Sequence, residues 1–363
     1  MKTGERSEVF FFPYDEGRAF LRGLRTLFSR IDNVISAGDS VAVKVHMGEY
    51  GSSAYLRPPI VHRVCDLIKE AGGKPFVTDT TTLYPARRFT ASQYLATAAF
   101  NGFTEESLGV PVVIADGEQG CDGEWVDIAK RIPDCSLDRI KIARGIFDAD
   151  SMLVLSHVKG HDSSGFGGSI KNVAMGCVTK DSKAAQHRLN RGVIDLSKCT
   201  GCGQCVEACA FKALSLLEEK IARDEEKCMN CNTCLYLCPE GVFSLPPQAK
   251  EVFQVYLAHA TAGVLSRFRS KVAFINFIQD VTPLCDCVAP SGLPVVPDIG
   301  ILASTDIVAI DKASLDLIAQ SKPLGEFANV SSPDILGKMN GTDSLIQIRT
   351  AQELDLGSME YQL

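Results

Sequence analysis

Residues 199–209 read CTGCGQCVEAC and residues 228–239 read CMNCNTCLYLCP, so the spacing Cys-x2-Cys-x2-Cys-x3-Cys occurs twice in one short stretch. The two-residue gaps let three thiolates of a run wrap one corner of a four-iron, four-sulfur cubane. The fourth cysteine, expected to start a helix and point away, ligates the other cluster. This pattern assigns Cys199, Cys202, Cys205 and Cys238 to one cluster, and Cys228, Cys231, Cys234 and Cys209 to a second. Tetrahedral zinc is the structural alternative, but it needs only two Cys-x2-Cys pairs and leaves the remaining cysteines of each run without a role. The expected cofactors are two [4Fe-4S] clusters.

From about Val193 to Leu245 the chain resembles the bacterial two-cluster ferredoxins, with strand-like flanks at Val193–Leu196 and Lys220–Arg223. It departs from them at Ala210, where proline often stands, as Pro239 does here. Outside this stretch the pattern changes. Short apolar runs at Val41–Val45, Pro75–Thr78, Val112–Ala115 and Met152–Leu155 alternate with helical patterns at Arg57–Ala71 and Ala91–Asn101. Near-continuous apolar runs suit parallel strands buried on both faces, and strand–helix alternation predicts an α/β sheet. The pattern resumes after Pro246-Pro247 with a helix to about Phe268, strands Val272–Ile278 and Ile299–Leu302, and a helix Asp306–Gln320 capped by Asp306. The expected fold is a mostly parallel α/β domain of Rossmann-like layers (1–190 and 247–363), interrupted by an α+β ferredoxin-like insert (191–246).

Composition narrows the function classes. With 45% hydrophobic and 22% charged residues, the chain is an ordinary globular protein. A net charge of −7 gives no reason to expect a nucleic-acid partner. The apolar patch in MKTGERSEVFFFPYDEG is too short for a signal-peptide core, and no run reaches the length of a membrane helix. A cytoplasmic location and no membrane partner are expected. Fourteen cysteines in a chain this long, without export signals, point to metal ligation rather than disulfides.

Four of the six histidines, His46, His157, His161 and His187, fall in or near predicted strand ends, where open α/β sheets bind ligands. His157 and His161 are followed by the turn Gly165-Phe166-Gly167-Gly168 and then Ser169-Ile170-Lys171-Asn172. Free amides at such a helix start can bind a carboxylate or phosphate, which makes Gly165, Gly167, Gly168 and Asn172 candidate cofactor contacts. His157, His161 and Lys171 are candidate catalytic residues. Glycines that merely permit a turn, and a lysine on a wet helix face, account for the same letters. Neither a Walker A lysine nor a dinucleotide fingerprint is present.

Three motifs, SHVKGHDSSGFGGSIKNVAMG (156–176), TPLCDC (282–287) and DIGILASTDIVAIDKAS (298–314), resemble domain-of-unknown-function family 362 in its version with an inserted ferredoxin. The segment HDSSGFGGSIK (161–171) is more distantly similar to the core motif of nickel-pincer lactate racemases, with His187 where a nickel-ligating histidine is expected. That resemblance implies an acid/base role for His161, a cofactor or carboxylate contact for Lys171 and a metal for His187. The stretch TTTLYPARR (80–88) is a loose counterpart of the racemase substrate loop, and a second catalytic histidine is missing.

Cys285 and Cys287 follow strand Val272–Ile278 and are expected at the same rim. Two thiols one residue apart make a strained disulfide; they remain a reduced pair or hold a third metal centre, which Cys177 could join and which imidazole ligands would complete. Cys65, Cys121 and Cys135 are expected to act as small hydrophobes. The leading reading is an iron–sulfur oxidoreductase: the insert passes electrons to or from a redox site in the α/β domain acting on a small anionic substrate. The alternatives are a pure electron carrier docking a redox partner protein, and a racemase or isomerase with structural clusters. Oligomeric state leaves no sequence signal.

Overall fold

The computed structural model describes residues 6–14, 20–133, 135–188 and 191–363. Its centre is a seven-stranded sheet. The strands are β1 (Phe10–Pro13), β2 (Ser40–Val45), β3 (Lys74–Asp79), β4 (Val112–Ile114), β5 (Ser151–His157), β6 (Val272–Ile278) and β7 (Gly300–Ser304). In space they run β1-β7-β6-β5-β2-β3-β4. Five neighbouring strands, β6 to β4, are parallel, whereas β7 pairs antiparallel with both β6 and β1. The sheet is therefore mainly parallel with an antiparallel edge. The β1 edge strand ends in Pro13, whose missing N–H costs least at an edge.

The strands are apolar on both faces because helices cover both. Along β5, Met152 and Val154 join one core and Leu153 and Leu155 the other; along β6, Phe274 and Ile278 alternate in the same way with Ile275 and Phe277. Among the helices are α1 (Phe20–Phe28), α2 (Pro58–Glu70), α3 (Ala91–Phe100), α4 (Ser169–Gly176), α5 (Lys180–Gln186), α6 (Ala249–Phe268) and α7 (Ile307–Gln320). Asp306 caps α7, accepting from the amides of Val308 and Ala309.

Strands that precede and follow the cysteine-rich segment lie side by side in this sheet, β5 against β6. The segment has its own small core of Leu214, Ile221, Val242 and Phe243, ringed by cysteines. Two antiparallel pairs frame it, Val193–Ile194 with Phe243–Ser244 and Leu214–Leu217 with Lys220–Arg223. Residue 190, the expected boundary, lies outside the described residues, as do 1–5 and 15–17 of the N-terminal stretch quoted above. Among the described residues, no helix is long and apolar enough to cross a membrane.

Candidate functional site

Within the insert, Cys199, Cys202, Cys205 and Cys238 line one recess; Cys209, Cys228, Cys231 and Cys234 line a second, which Cys205 also borders. The expectation that each fourth cysteine starts a helix is corrected. Cys209 and Cys238 sit just past the short helices Gln204–Glu207 and Thr233–Leu237, because the three-residue gap is itself the helical turn. Each then accepts a main-chain N–H four residues on, Ala213 N to Cys209 Sγ at 3.3 Å and Val242 N to Cys238 Sγ at 3.5 Å. The donor chemistry fits a cation-rich guest. Burial raises the Cys205 thiol, and the charges of Cys238, Cys202 and Cys199 raise it further. Burial pushes Cys234 up to about 11, with Cys231 and Cys228 adding to the effect. Thiolates crowded this closely repel one another unless metal ions neutralise them.

A second constellation forms at the carboxyl ends of β2 and β5. His157 is the last residue of β5. Its Nδ1 lies 3.1 Å from Asp286 Oδ1 and its Nε2 2.8 Å from the Gln279 carbonyl, so both nitrogens are engaged inside the protein. Asp286 is wholly buried, between the two cysteines of TPLCDC, and also faces Lys159 at 3.4 Å and His46 at 3.6 Å. Burial alone would raise its carboxyl; Lys159, His157 and His46 outweigh that and hold it far below the usual range.

With Asp286 anchored, the flanking thiols meet His161. One ligand atom from each of His161, Cys285 and Cys287 lies within 4.8 Å of the others. Cys285 Sγ accepts from the Cys287 main-chain N–H at 3.4 Å; the neighbouring Cys287 thiol, helped by Lys171 and Lys159, lowers Cys285, while Cys285 and burial raise Cys287. Burial and the charge of Lys171 depress His161; the same two causes push His187 down to about 4. Lys171 thus acts on all four groups, yet among the described residues its ammonium makes no hydrogen bond or ion pair of its own. His187 stacks on Phe253 at 4.6 Å, its buried Nδ1 without a hydrogen-bond partner among the described residues.

The structure departs from other expectations. The anion seat at the start of α4 is filled from within: Asp311 accepts from Ser169 N at 2.7 Å and Ile170 N at 2.9 Å. Gly168 is needed for that approach, since a Cβ there would meet Asp311 Oδ1 at 2.4 Å. Gly165 and Gly167 form a short strand paired with Lys159–His161. Asn172 holds the buried Lys44 at 2.6 Å and donates to the Leu155 carbonyl. These residues build the loop from inside. Cys177 lies in the core against Met152, 3.9 Å away, and does not join Cys285 and Cys287. Cys65 and Cys135 are buried, but Cys121 is exposed.

Sequence reasoning missed several residues that the fold brings here. Arg88, almost fully buried, donates to Glu49 at 3.0 Å and Tyr84 at 2.6 Å, and lies 2.8 Å from His46 Nε2. Its signal was the TTTLYPARR stretch. Asp162, beside His161, accepts a 3.1 Å hydrogen bond from Tyr236, which stands between Cys234 and Cys238 of the insert. Phe211 packs edge-on against Phe89, and Asn230 donates to the Ala184 carbonyl, giving the insert two further contacts with the α/β domain.

Comparison with known proteins places these features. The chain is 28% identical over 181 residues to a thylakoid-associated protein of Synechocystis, covering 47% of this chain and 50% of that protein. Over 55 residues, 15% of this chain, it is 38% identical to a component of the Na⁺-translocating ferredoxin:NAD⁺ oxidoreductase complex of Acetobacterium woodii, covering 16% of that component. It is 29% identical over 73 residues to Ferredoxin-3 of Nostoc, covering 15% of this chain and 75% of the ferredoxin. The chain thus spans half or less of the first two relatives, and a ferredoxin-like segment is shared with the Nostoc ferredoxin. The lactate racemase apoprotein of Thermoanaerobacterium thermosaccharolyticum aligns over 82% of this chain and 56% of its own at 11% identity, with a TM-score of 0.40, too loose to carry an activity across. The family model described as "Domain of unknown function (DUF362)" matches residues 41–316, well over half of the chain, and the chain belongs to that family.

Proposed function

We propose that this protein is a cytoplasmic two-cluster iron–sulfur protein whose insert exchanges electrons with the sheet-rim site, where a small anionic substrate is held. The observation that carries the reading is the pair of recesses, each lined by three cysteines of one run together with the fourth cysteine of the other, Cys205 bordering both. Cys199, Cys202, Cys205 and Cys238 would hold one [4Fe-4S] cluster; Cys228, Cys231, Cys234 and Cys209 the other. When bound, such clusters would supply one-electron carriers.

The protein's own residues supply the rest. Tyr236 ties the second cysteine run to Asp162, and Asp162 stands 3.3 Å from His161 Nδ1. Lys171, without a partner among the described residues, offers a seat for a carboxylate or similar anion. Buried Asp286, held by Lys159, His157 and His46, keeps the rim loops fixed when an anion enters. Arg88 already bonds Glu49 and Tyr84 and lies against His46 Nε2, so its guanidinium is engaged within the protein.

The test is a panel of small hydroxy and keto carboxylates, scored by ligand-detected NMR against the anaerobic protein and its Lys171→Met variant. Binding by the wild type that weakens at least tenfold in the variant supports the rim site. Equal binding, or none across the panel, removes the anion role of Lys171 and leaves the electron carrier that docks a partner protein.

A further inference from the structure

The cysteine–histidine cluster at the rim has a composition that anion binding alone does not require. We propose that His161, Cys285 and Cys287 bind one thiophilic divalent transition-metal ion, leaving a coordination position for a small anion beside Lys171. The inference deepens the reading above and depends on it only for the source of electrons and the nature of the anion.

Geometry is the first support. The three ligand atoms lie within 4.8 Å of one another. Bond lengths of about 2.3 Å to sulfur and about 2.0 Å to nitrogen put tetrahedral ligand atoms roughly 3.5 to 3.8 Å apart. Small rotations of side chains that already converge close that gap. Two thiolates and an imidazole form a donor set that selects zinc, iron or nickel over magnesium or calcium, and three protein ligands with one open position is the pattern of a reactive rather than a structural site.

The surroundings are the second support. Metal-bound histidines usually donate their free N–H to a carboxylate. His161 Nδ1 has Asp162 Oδ1 at 3.3 Å, and Asp162 is itself held by Tyr236. In the metal-free geometry Nδ1 accepts from the Ser163 main-chain N–H at 3.1 Å; metal capture at Nε2 would exchange that bond for one donated by Nδ1–H to Asp162. Asp286 faces away, pinned by His157, Lys159 and His46, which holds Cys285 and Cys287 as neighbours. A disulfide across one residue would be strained. A metal here gives His161 a ligand role in place of the acid/base role implied by the racemase resemblance, and His187 stays outside the ligand set.

The experiment uses the full-length, anaerobically purified, iron-loaded protein, incubated with Zn²⁺ and passed through a desalting column. Total metal per chain should exceed that of the Cys285→Ser/Cys287→Ser variant by about one equivalent, with the cluster iron the same in both. Zinc-edge X-ray absorption on the wild type should show two sulfur neighbours at about 2.3 Å and at least one lighter neighbour at about 2.0 Å. Equal metal in the two proteins overturns the proposal, and so does a zinc shell of four sulfurs or of oxygen and nitrogen only. The absorption measurement needs no variant, so a double variant that fails to fold leaves the test intact. Iron content and dithionite reduction of the same samples report on the insert separately, so a failed rim metal and failed cluster binding give different results.

Discussion

Tyr236 of the cysteine-rich insert donates a 3.1 Å hydrogen bond to Asp162 of the α/β domain. It joins the residue between two cysteines to the neighbour of the rim histidine. The ring itself is largely exposed, so the bond, not buried area, is what Tyr236 brings to the junction. Removing it with Tyr236→Phe should leave iron content unchanged and loosen the 157–168 loop. A hydrogen bond to a carboxylate contributes about 1 to 2 kcal/mol, reduced here by solvent, so amide exchange in the loop should quicken by roughly three- to tenfold. Unchanged exchange would mean that the insert and the rim are not coupled through this pair.

The start of α4 depends on Asp311 in the same direct way. Its carboxylate satisfies Ser169 N and Ile170 N and accepts from Asn276 Nδ2 at 2.9 Å, all in the buried core. Asp311→Ala should cost about 2 to 4 kcal/mol, because two buried amides lose their acceptor. Gly168→Ala should cost about 1 to 3 kcal/mol by forcing Asp311 away from a new methyl group. Thermal unfolding of both variants checks this. Because they break one contact, the double variant should fall well short of the sum of the two losses.

Lys183 offers a pH test remote from the cysteines. It donates to Thr80 Oγ1 at 2.8 Å and to the Thr81 carbonyl, and lies 3.9 Å from Asp116. Burial pushes its ammonium down to about 8, against the pull of Asp116. An unfolded lysine titrates near 10.4. Between about pH 8 and pH 10.4 the unfolded chain therefore binds more protons, and this residue's share of stability rises with pH by at most about 3 kcal/mol. Carbon-13 NMR of the lysine ε-carbons should show a resonance with a midpoint near 8 that disappears in Lys183→Met. If every lysine titrates above about 10, this assignment is wrong.

Much of the sheet was legible in the sequence because its strands are buried on both faces. Val272–Ile278, apolar but for Asn276, is the strand β6; helices 249–268 and 307–320 were equally plain from their apolar patterning and the Asp306 cap. The β1 edge was not legible: a four-residue FFFP run gains its strand character only from pairing with β7, almost 300 residues away. At the rim, the cysteines and histidines showed as residue types, but their grouping did not. Asp286, Lys159 and Arg88 act through contacts between segments near 46, 88, 157 and 286, which no local pattern encodes. The glycine turn misled for a related reason. A helix start looks open in sequence whether a ligand or the chain's own Asp311 fills it.

The central claim is tested most directly by iron and acid-labile sulfide analysis of protein purified without oxygen, read with electron paramagnetic resonance before and after dithionite. About eight irons and eight sulfides per chain, a brown protein, and signals of two interacting reduced [4Fe-4S] clusters are the predicted result. A colourless protein, zinc in place of iron, or about four irons or fewer per chain would contradict it.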